Sequence, residues 1–266
     1  MSELPDKHFV FVTGTHRSGT SLLHTALRDH PEISGFSRTG RPMDEGQHLQ
    51  TVFPAARQFG GPGRFAFDPA SFMNESHPLA TRDNAMKLFS DWSRHWDLRM
   101  HYLVEKSPPT IVRMRFFQHL FPTSSFVVIL RHPVAVAYAT LKWCPSSAFS
   151  LIEHTLRCYE GLLADKSRIR KLIICRYEDL VANPQHLLAR IHTFLGVNKH
   201  QPRLEIDTQS NQRYFARWKP DFESLDRLQG VQPGRFKETL GPRLCALGYL
   251  IDSVDQFVDV PWIDTE

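Results

Sequence analysis

Residues 8–21 read HFVFVTGTHRSGTS, and the rest of the architecture is ordered around them. His8 to Gly14 is a nearly unbroken apolar run, which predicts a strand buried on both faces and therefore part of a parallel sheet. Gly14 and Gly19 bracket a short loop. A helix is expected from Ser18 to about Arg28, with Leu22, Leu23, Ala26 and Leu27 apolar. His30-Pro31 ends it, because the residue before a proline avoids helical angles. Strand, glycine-bearing turn and helix in direct succession open a βαβ unit.

The same grammar repeats downstream. Ser125 to Leu130, SFVVIL, predicts a second buried strand, stopped at Arg131-His132-Pro133 with proline at the favoured first helical position. His101 to Glu105 and Lys171 to Cys175 are further strands. Helices are expected over residues 81–98, about 110–120, 148–165, from Asn183-Pro184 to a cap at Gly196, and about 235–247. Alternating strands and helices predict an α/β fold, a P-loop-like central parallel sheet flanked by helices. One domain is expected over residues 1–266, with an irregular substrate-side or lid segment at about 35–80. Within that segment Asp44 to Arg57 is expected to be helical, with Leu49, Val52 and Phe53 on one face. Its aromatics, Phe53, Phe59, Phe65, Phe67 and Phe72, either line a binding site or anchor the loop.

The chain has 266 residues, 41% of them hydrophobic, and 32 Lys+Arg against 28 Asp+Glu. That composition excludes a disordered or fibrous chain. A net charge of +4 is mild, so no nucleic-acid partner is expected. No apolar run approaches the ~20 residues of a membrane span. The opening MSELPDKH lacks a signal-peptide pattern, so a soluble, cytoplasmic protein is expected. Cys144, Cys158, Cys175 and Cys245 are too scattered for a disulfide framework or zinc knuckle and are read as reduced structural thiols. The histidines form no ligand pair, so no metal site is expected.

The loop from Gly14 to Ser21 has the length and setting of a phosphate loop, where backbone N–H groups and a helix dipole converge on an anion. The nucleotide-kinase pattern has lysine where Thr20 stands. Here the base is Arg17, and Ser18, Thr20 and Ser21 add donors for oxyanions. A P-loop ATPase also needs an acid after a later strand to help hold Mg²⁺. SFVVIL ends in Arg131 instead. Base at two sheet ends points to a multiply anionic nucleotide neutralised by side chains. Both positions lie at the carboxyl ends of strands, where such sheets bind ligands.

THRSGTSLL, VVILRHPVAVAYA and CRYEDLVANP followed by IHTFLGV, in that order over about residues 8–197, resemble three blocks of the sulfotransferases that use 3′-phosphoadenylyl sulfate (PAPS). The likeness is to the bacterial and tyrosylprotein-type branch with the R-S-G-T-S loop. It implies metal-independent, in-line transfer of a sulfuryl group to a hydroxyl acceptor. Arg17, Ser18, Gly19, Thr20, Ser21, Arg131 and Tyr177 would hold the donor, with Arg217, beside Trp218, closing from the tail. The family's usual serine eight residues after the 3′-phosphate arginine is Ala139 here. Arg17 and Lys106 would stabilise the transferring group. Glu45 is the first choice as general base, with His48 its rival; on a helix the two share a face. Glu178 and Asp179 are read as local capping groups. The acceptor is expected to be a small molecule, glycan or lipid headgroup, because the N-terminal anchor usual in the family's secretory-pathway members is not found. Two rival readings are a P-loop nucleotide kinase with an unusual loop and a non-catalytic module binding PAPS or adenosine bisphosphate.

Overall fold

The computed structural model describes residues 4–228 and 235–263. In chain order the elements are β1 (His8–Gly14), α1 (Thr20–Arg28), β2 (Ile33–Gly35), α2 (Arg82–Ser93), β3 (Tyr102–Lys106), α3 (Met114–Leu120), β4 (Ser124–Leu130), α4 (Pro133–Thr140), α5 (Ala148–Asp165), β5 (Leu172–Arg176), α6 (Tyr177–Ala182), α7 (Pro184–Leu195), α8 (Ser210–Leu228), α9 (Arg235–Ala246), β6 (Tyr249–Leu250) and β7 (Ser253–Phe257). The five strands β2-β3-β1-β4-β5 form one sheet, and every pairing in it is parallel. The chain is α/β with a central parallel sheet flanked by helices.

The apolar run of β1 explains its central place. Val10 and Val12 face one side with Leu23, Ala26 and Leu27 of α1, and Phe9 and Phe11 face the other with Trp92, Phe117 and Phe121. Two cores on opposite faces require a strand apolar at nearly every position, and β4, SSFVVIL, has all seven residues buried. The parallel register sets Val12 beside Lys106 and Gly14 beside Ile129. The ends of β3, β1 and β4 therefore open on one edge of the sheet.

Three sequence expectations differ from the structure. Asp44 to Arg57 is not a helix. It holds only short 3₁₀ turns, Pro42–Asp44, Gly46–His48 and the start of Ala56–Phe59, and side chains take up the backbone donors a helix would use. Gln50 Oε1 accepts from Val52 and Phe53 N–H, and Gln47 Oε1 accepts from Ala56 N–H. The helix expected from Thr110 starts as a 3₁₀ turn over Pro108–Val112 and becomes α-helical only at Met114. Cys245 is exposed, whereas Cys144, Cys158 and Cys175 are buried, so burial does not explain Cys245. The short strand β2, the antiparallel pair β6–β7 and helix α8 have no counterpart in the sequence expectations.

The irregular segment after β2 is anchored from below. The buried guanidinium of Arg113 donates to the Ser71 and Pro54 carbonyls. Phe53 and Phe65 are buried in the core, which makes them anchors of the loop, while Phe67 and Phe72 are exposed. Among the described residues no helix is long and apolar enough to cross a membrane.

Candidate active site

The phosphate loop follows β1 and turns on two residues with positive φ, Arg17 at 71° and Gly19 at 106°. Gly19 is the N-cap of α1, so the helix begins at Thr20 with its free N–H groups facing the loop. A Cβ on Gly19 would stand 2.6 Å from the Tyr177 ring, so both its angle and its neighbour require glycine. Ser18 is fully buried and spends its hydroxyl inside the loop, donating to the Thr15 carbonyl at 2.8 Å. Arg17 lies with its guanidinium carbon 4.4 Å from the centre of the Trp143 ring, a cation–π contact. Its buried Nε has no hydrogen-bond partner among the described residues.

Arg131, directly after β4, is buried and strongly organised. Its Nε donates to Asn211 Oδ1 at 2.8 Å, one Nη to the Arg17 carbonyl at 2.9 Å and the other to Ser210 Oγ at 2.9 Å. The guanidinium lies 4.1 Å from the Tyr177 ring centre. Burial lowers its pKa from the usual arginine value, against the pull of Tyr177 and Glu178. Arg17, Arg131, Gly19 and Tyr177 thus form one contiguous group. Ser210 and Asn211 complete it, and sequence reasoning missed both. Glu178 does more than cap locally: it accepts from His132 N–H and from Asn211 Nδ2, joining the end of β4 to α8.

Arg217 stands apart. It is exposed on α8, its guanidinium 5.4 Å from the Tyr138 ring centre, and none of its described contacts is with Arg17 or Arg131. Ala139 is fully buried, and the Thr140 hydroxyl donates to the Val136 carbonyl.

The second group sits at the end of β3. Lys106 is buried, and its ammonium donates to the Met43 carbonyl at 2.8 Å and to Glu45 Oε1 at 3.2 Å. Glu45 Oε2 accepts from Gln47 Nε2 at 2.5 Å and lies 3.8 Å from His48 Nε2. The 3₁₀ turn thus preserves the three-residue proximity expected of a helix. Burial lowers the His48 pKa, with Glu45 pulling it back. His16, inside the phosphate loop, lies within electrostatic reach of Glu45, Lys106, His48 and Arg17, and burial pushes its imidazole down to about 4. A cleft of about 490 Å³ opens beside the turn, lined by Arg41, Gln47, His48, Phe53 and Arg57 among others. Among the described residues no group of three or more His, Cys, Asp or Glu is arranged to hold a metal.

Arginines, an ammonium, helix N–H groups and a carboxylate-histidine pair on one sheet edge can bind a polyanion and take a proton from a neighbouring hydroxyl. Comparison with known proteins gives the family. The profile of the sulfotransferase family matches residues 10–202. Protein-tyrosine sulfotransferase 2 of Gallus gallus is 24% identical over 204 residues, covering 71% of this chain and 51% of that protein. Protein-tyrosine sulfotransferase 1 of Danio rerio is 22% identical over 208 residues, 72% of this chain and 54% of that one. The chain spans about half the length of these curated relatives. A crystal structure of a sulfotransferase from Alicyclobacillus acidocaldarius superposes with a TM-score of 0.49 at 16% identity, over 88% of this chain and 100% of that one.

Proposed function

The chain belongs to the sulfotransferase family, and from that premise we propose that it moves the sulfuryl group of PAPS to a hydroxyl acceptor. The observation that carries the reading is the Arg17–Arg131 pair, bridged through the Arg17 carbonyl beside a helix N-terminus. The residues fit an anion-rich nucleotide. The buried Arg17 Nε has no partner among the described residues, and the loop closes tightly on glycines: a Cβ on Gly14 would collide with the Ile129 carbonyl oxygen and one on Gly19 would stand 2.6 Å from the Tyr177 ring. PAPS, when bound, supplies the sulfuryl group and a phosphate leaving group.

Arg17, Gly19, Thr20 and Ser21 hold the 5′ end through backbone N–H groups and the guanidinium, while Ser18, whose N–H and hydroxyl both donate to the Thr15 carbonyl, shapes the loop. Arg131, over Tyr177, holds the 3′-phosphate with the donor hydrogens its three protein bonds leave over. That arrangement does not need the serine replaced by Ala139. Arg217 joins only if α8 residues beyond Ser210 and Asn211 close on the nucleotide. Arg17 and Lys106 offset charge that develops on the transferring group. Glu45 removes the acceptor proton, and Lys106, ion-paired to it, sets its position. His48 stands as second base on the cleft side. The cleft beside His48 receives the acceptor, of small-molecule, glycan or lipid-headgroup size. Arginine where a kinase carries its acid favours this reading over an ATP-dependent one.

The deciding experiment incubates the protein with sulfur-labelled PAPS, EDTA and a panel of alcohols, phenols and sugars. Label on an acceptor, lost in Glu45→Gln, supports the reading. Binding of adenosine bisphosphate with no transfer to any acceptor supports a binding module, and Mg²⁺-dependent ATP binding supports a kinase.

A further inference from the structure

Two tripeptides meet residue by residue at the end of β3. Glu45-Gly46-Gln47 comes from the irregular segment and Glu105-Lys106-Ser107 from the strand. Lys106 pairs with Glu45. Glu105 Oε1 accepts from Gly46 N–H at 3.0 Å and from the Ser107 hydroxyl at 2.5 Å. Ser107 Oγ in turn accepts from Gln47 N–H at 3.0 Å. Trp92 Nε1 donates to the Gly46 carbonyl at 3.0 Å and closes the far side. Gly46 has no alternative, since a Cβ there would stand 2.6 Å from Glu105 Cγ.

We propose that Glu105 is a positioning residue: through Gly46 N–H and Ser107 it fixes the turn that carries Glu45, and so sets the base against the acceptor. The inference rests on the reading of Glu45 as base. A loop with only 3₁₀ turns cannot hold a carboxylate by its own backbone, and the strand end supplies what the loop lacks. Glu105 is fully buried, and burial pushes its carboxyl up to about 8. The charged groups facing it are Lys106 from its own strand, which lowers that value, and Glu45 from the turn, which raises it. A protonated Glu105 accepts through its carbonyl oxygen, which a glutamine also does.

The test uses the full chain with Glu105→Ala, Glu105→Gln and Ser107→Ala. Amide exchange at Gly46 and Gln47 reads the clasp. Calorimetry with adenosine bisphosphate reads the donor site. Release of labelled sulfate from PAPS to water reads transfer without a known acceptor. In Glu105→Ala, exchange at Gly46 and Gln47 accelerates and release falls about 10²-fold while nucleotide affinity stays within about twofold, the effect of a misplaced catalytic group. Glu105→Gln restores both readouts, and Ser107→Ala frees the Gln47 amide. The proposal is overturned if Glu105→Ala leaves exchange and release unchanged, or if glutamine is as damaging as alanine. Should Glu105→Ala fail to fold, Glu105→Gln and Ser107→Ala decide alone. A wild-type chain that binds no nucleotide sinks the functional reading, while amide exchange still judges the clasp.

Discussion

Lys106 Nζ stands 3.2 Å from Glu45 Oε1, with the lysine side chain 1% exposed and the glutamate 7%. Taking the lysine away leaves the Glu45 carboxylate buried without its cation, with only Gln47 Nε2 and the His48 ring beside it, which costs more than the pair contributes. Lys106→Met should therefore destabilise the protein by about 3–5 kcal/mol. The double variant Lys106→Met/Glu45→Gln should recover most of that loss and still lack sulfuryl transfer. Urea unfolding of Lys106→Met, Glu45→Gln and the double variant checks it. A double variant no more stable than Lys106→Met would show that the lysine stabilises by packing alone.

Trp143 is 55% exposed, yet its ring carries the Arg17 guanidinium at 4.4 Å and the Lys142 ammonium at 4.8 Å. An anionic ligand in the loop competes for Arg17 with a contact of about 0.5–1 kcal/mol and should win it. Adding adenosine bisphosphate should change the tryptophan emission, and Trp143→Phe should remove most of the change while keeping affinity. Equal changes in both proteins would place the reporter elsewhere.

Gly19→Ala tests the loop's shape without touching a donor group. The position needs φ near +106°, and the new methyl would press on the Tyr177 ring. The strain is about 1–3 kcal/mol, and Tyr177 must shift from beneath Arg131. Nucleotide affinity should fall at least as far as stability. A Gly19→Ala protein with wild-type affinity would mean that the loop does not grip the nucleotide.

What could be read from the sequence follows from what each signal depends on. β1 and β4 are apolar at nearly every position because both faces are buried, so their runs are visible without context. Asn183 and Gly196 bound α7 by local cap chemistry, also visible. Asp44 to Arg57 has the apolar spacing of a helix but is shaped by Gln47 and Gln50 side chains binding backbone, which spacing cannot reveal. Arg17, Arg131 and Tyr177 were legible from motif order. Ser210, Asn211 and Glu105 reach the site only through folding, Asn211 across 80 residues of sequence to Arg131.

Arg131 and Arg217 separate by their surroundings. Arg131 is buried among Asn211, Ser210 and Tyr177, whereas Arg217 is exposed over Tyr138. A buried hydrogen-bonded cation contributes to anion binding far more than a solvated one. Arg131→Ala should weaken adenosine bisphosphate binding by two or more orders of magnitude, about 3 kcal/mol. Arg217→Ala should change it by less than about 1 kcal/mol. Asn211→Ala should fall between, because it loosens Arg131 without removing it. Titration calorimetry ranks the three, and an Arg217 effect equal to that of Arg131 would mean α8 closes further over the ligand.

His132 gives the fold an acid limit. The imidazole is fully buried, its Nδ1 accepting from Val134 N–H and its Nε2 donating to the Leu250 carbonyl. That arrangement requires the neutral ring, and burial lowers the pKa from 6.5 to about 4. Between those values the unfolded chain binds the proton and the folded chain does not, so stability rises with pH and is lost as pH falls. Above 6.5 the contribution is whole. Below it the loss approaches about 1.4 kcal/mol per pH unit for this one group. His24 and His154, lowered to about 3 by burial, add slope of the same sign. His132→Asn keeps an acceptor for Val134 N–H and removes the titration. Its urea midpoint should therefore fall less steeply than wild type from pH 6.5 to 4, and parallel curves would remove His132 as a source of the acid limit.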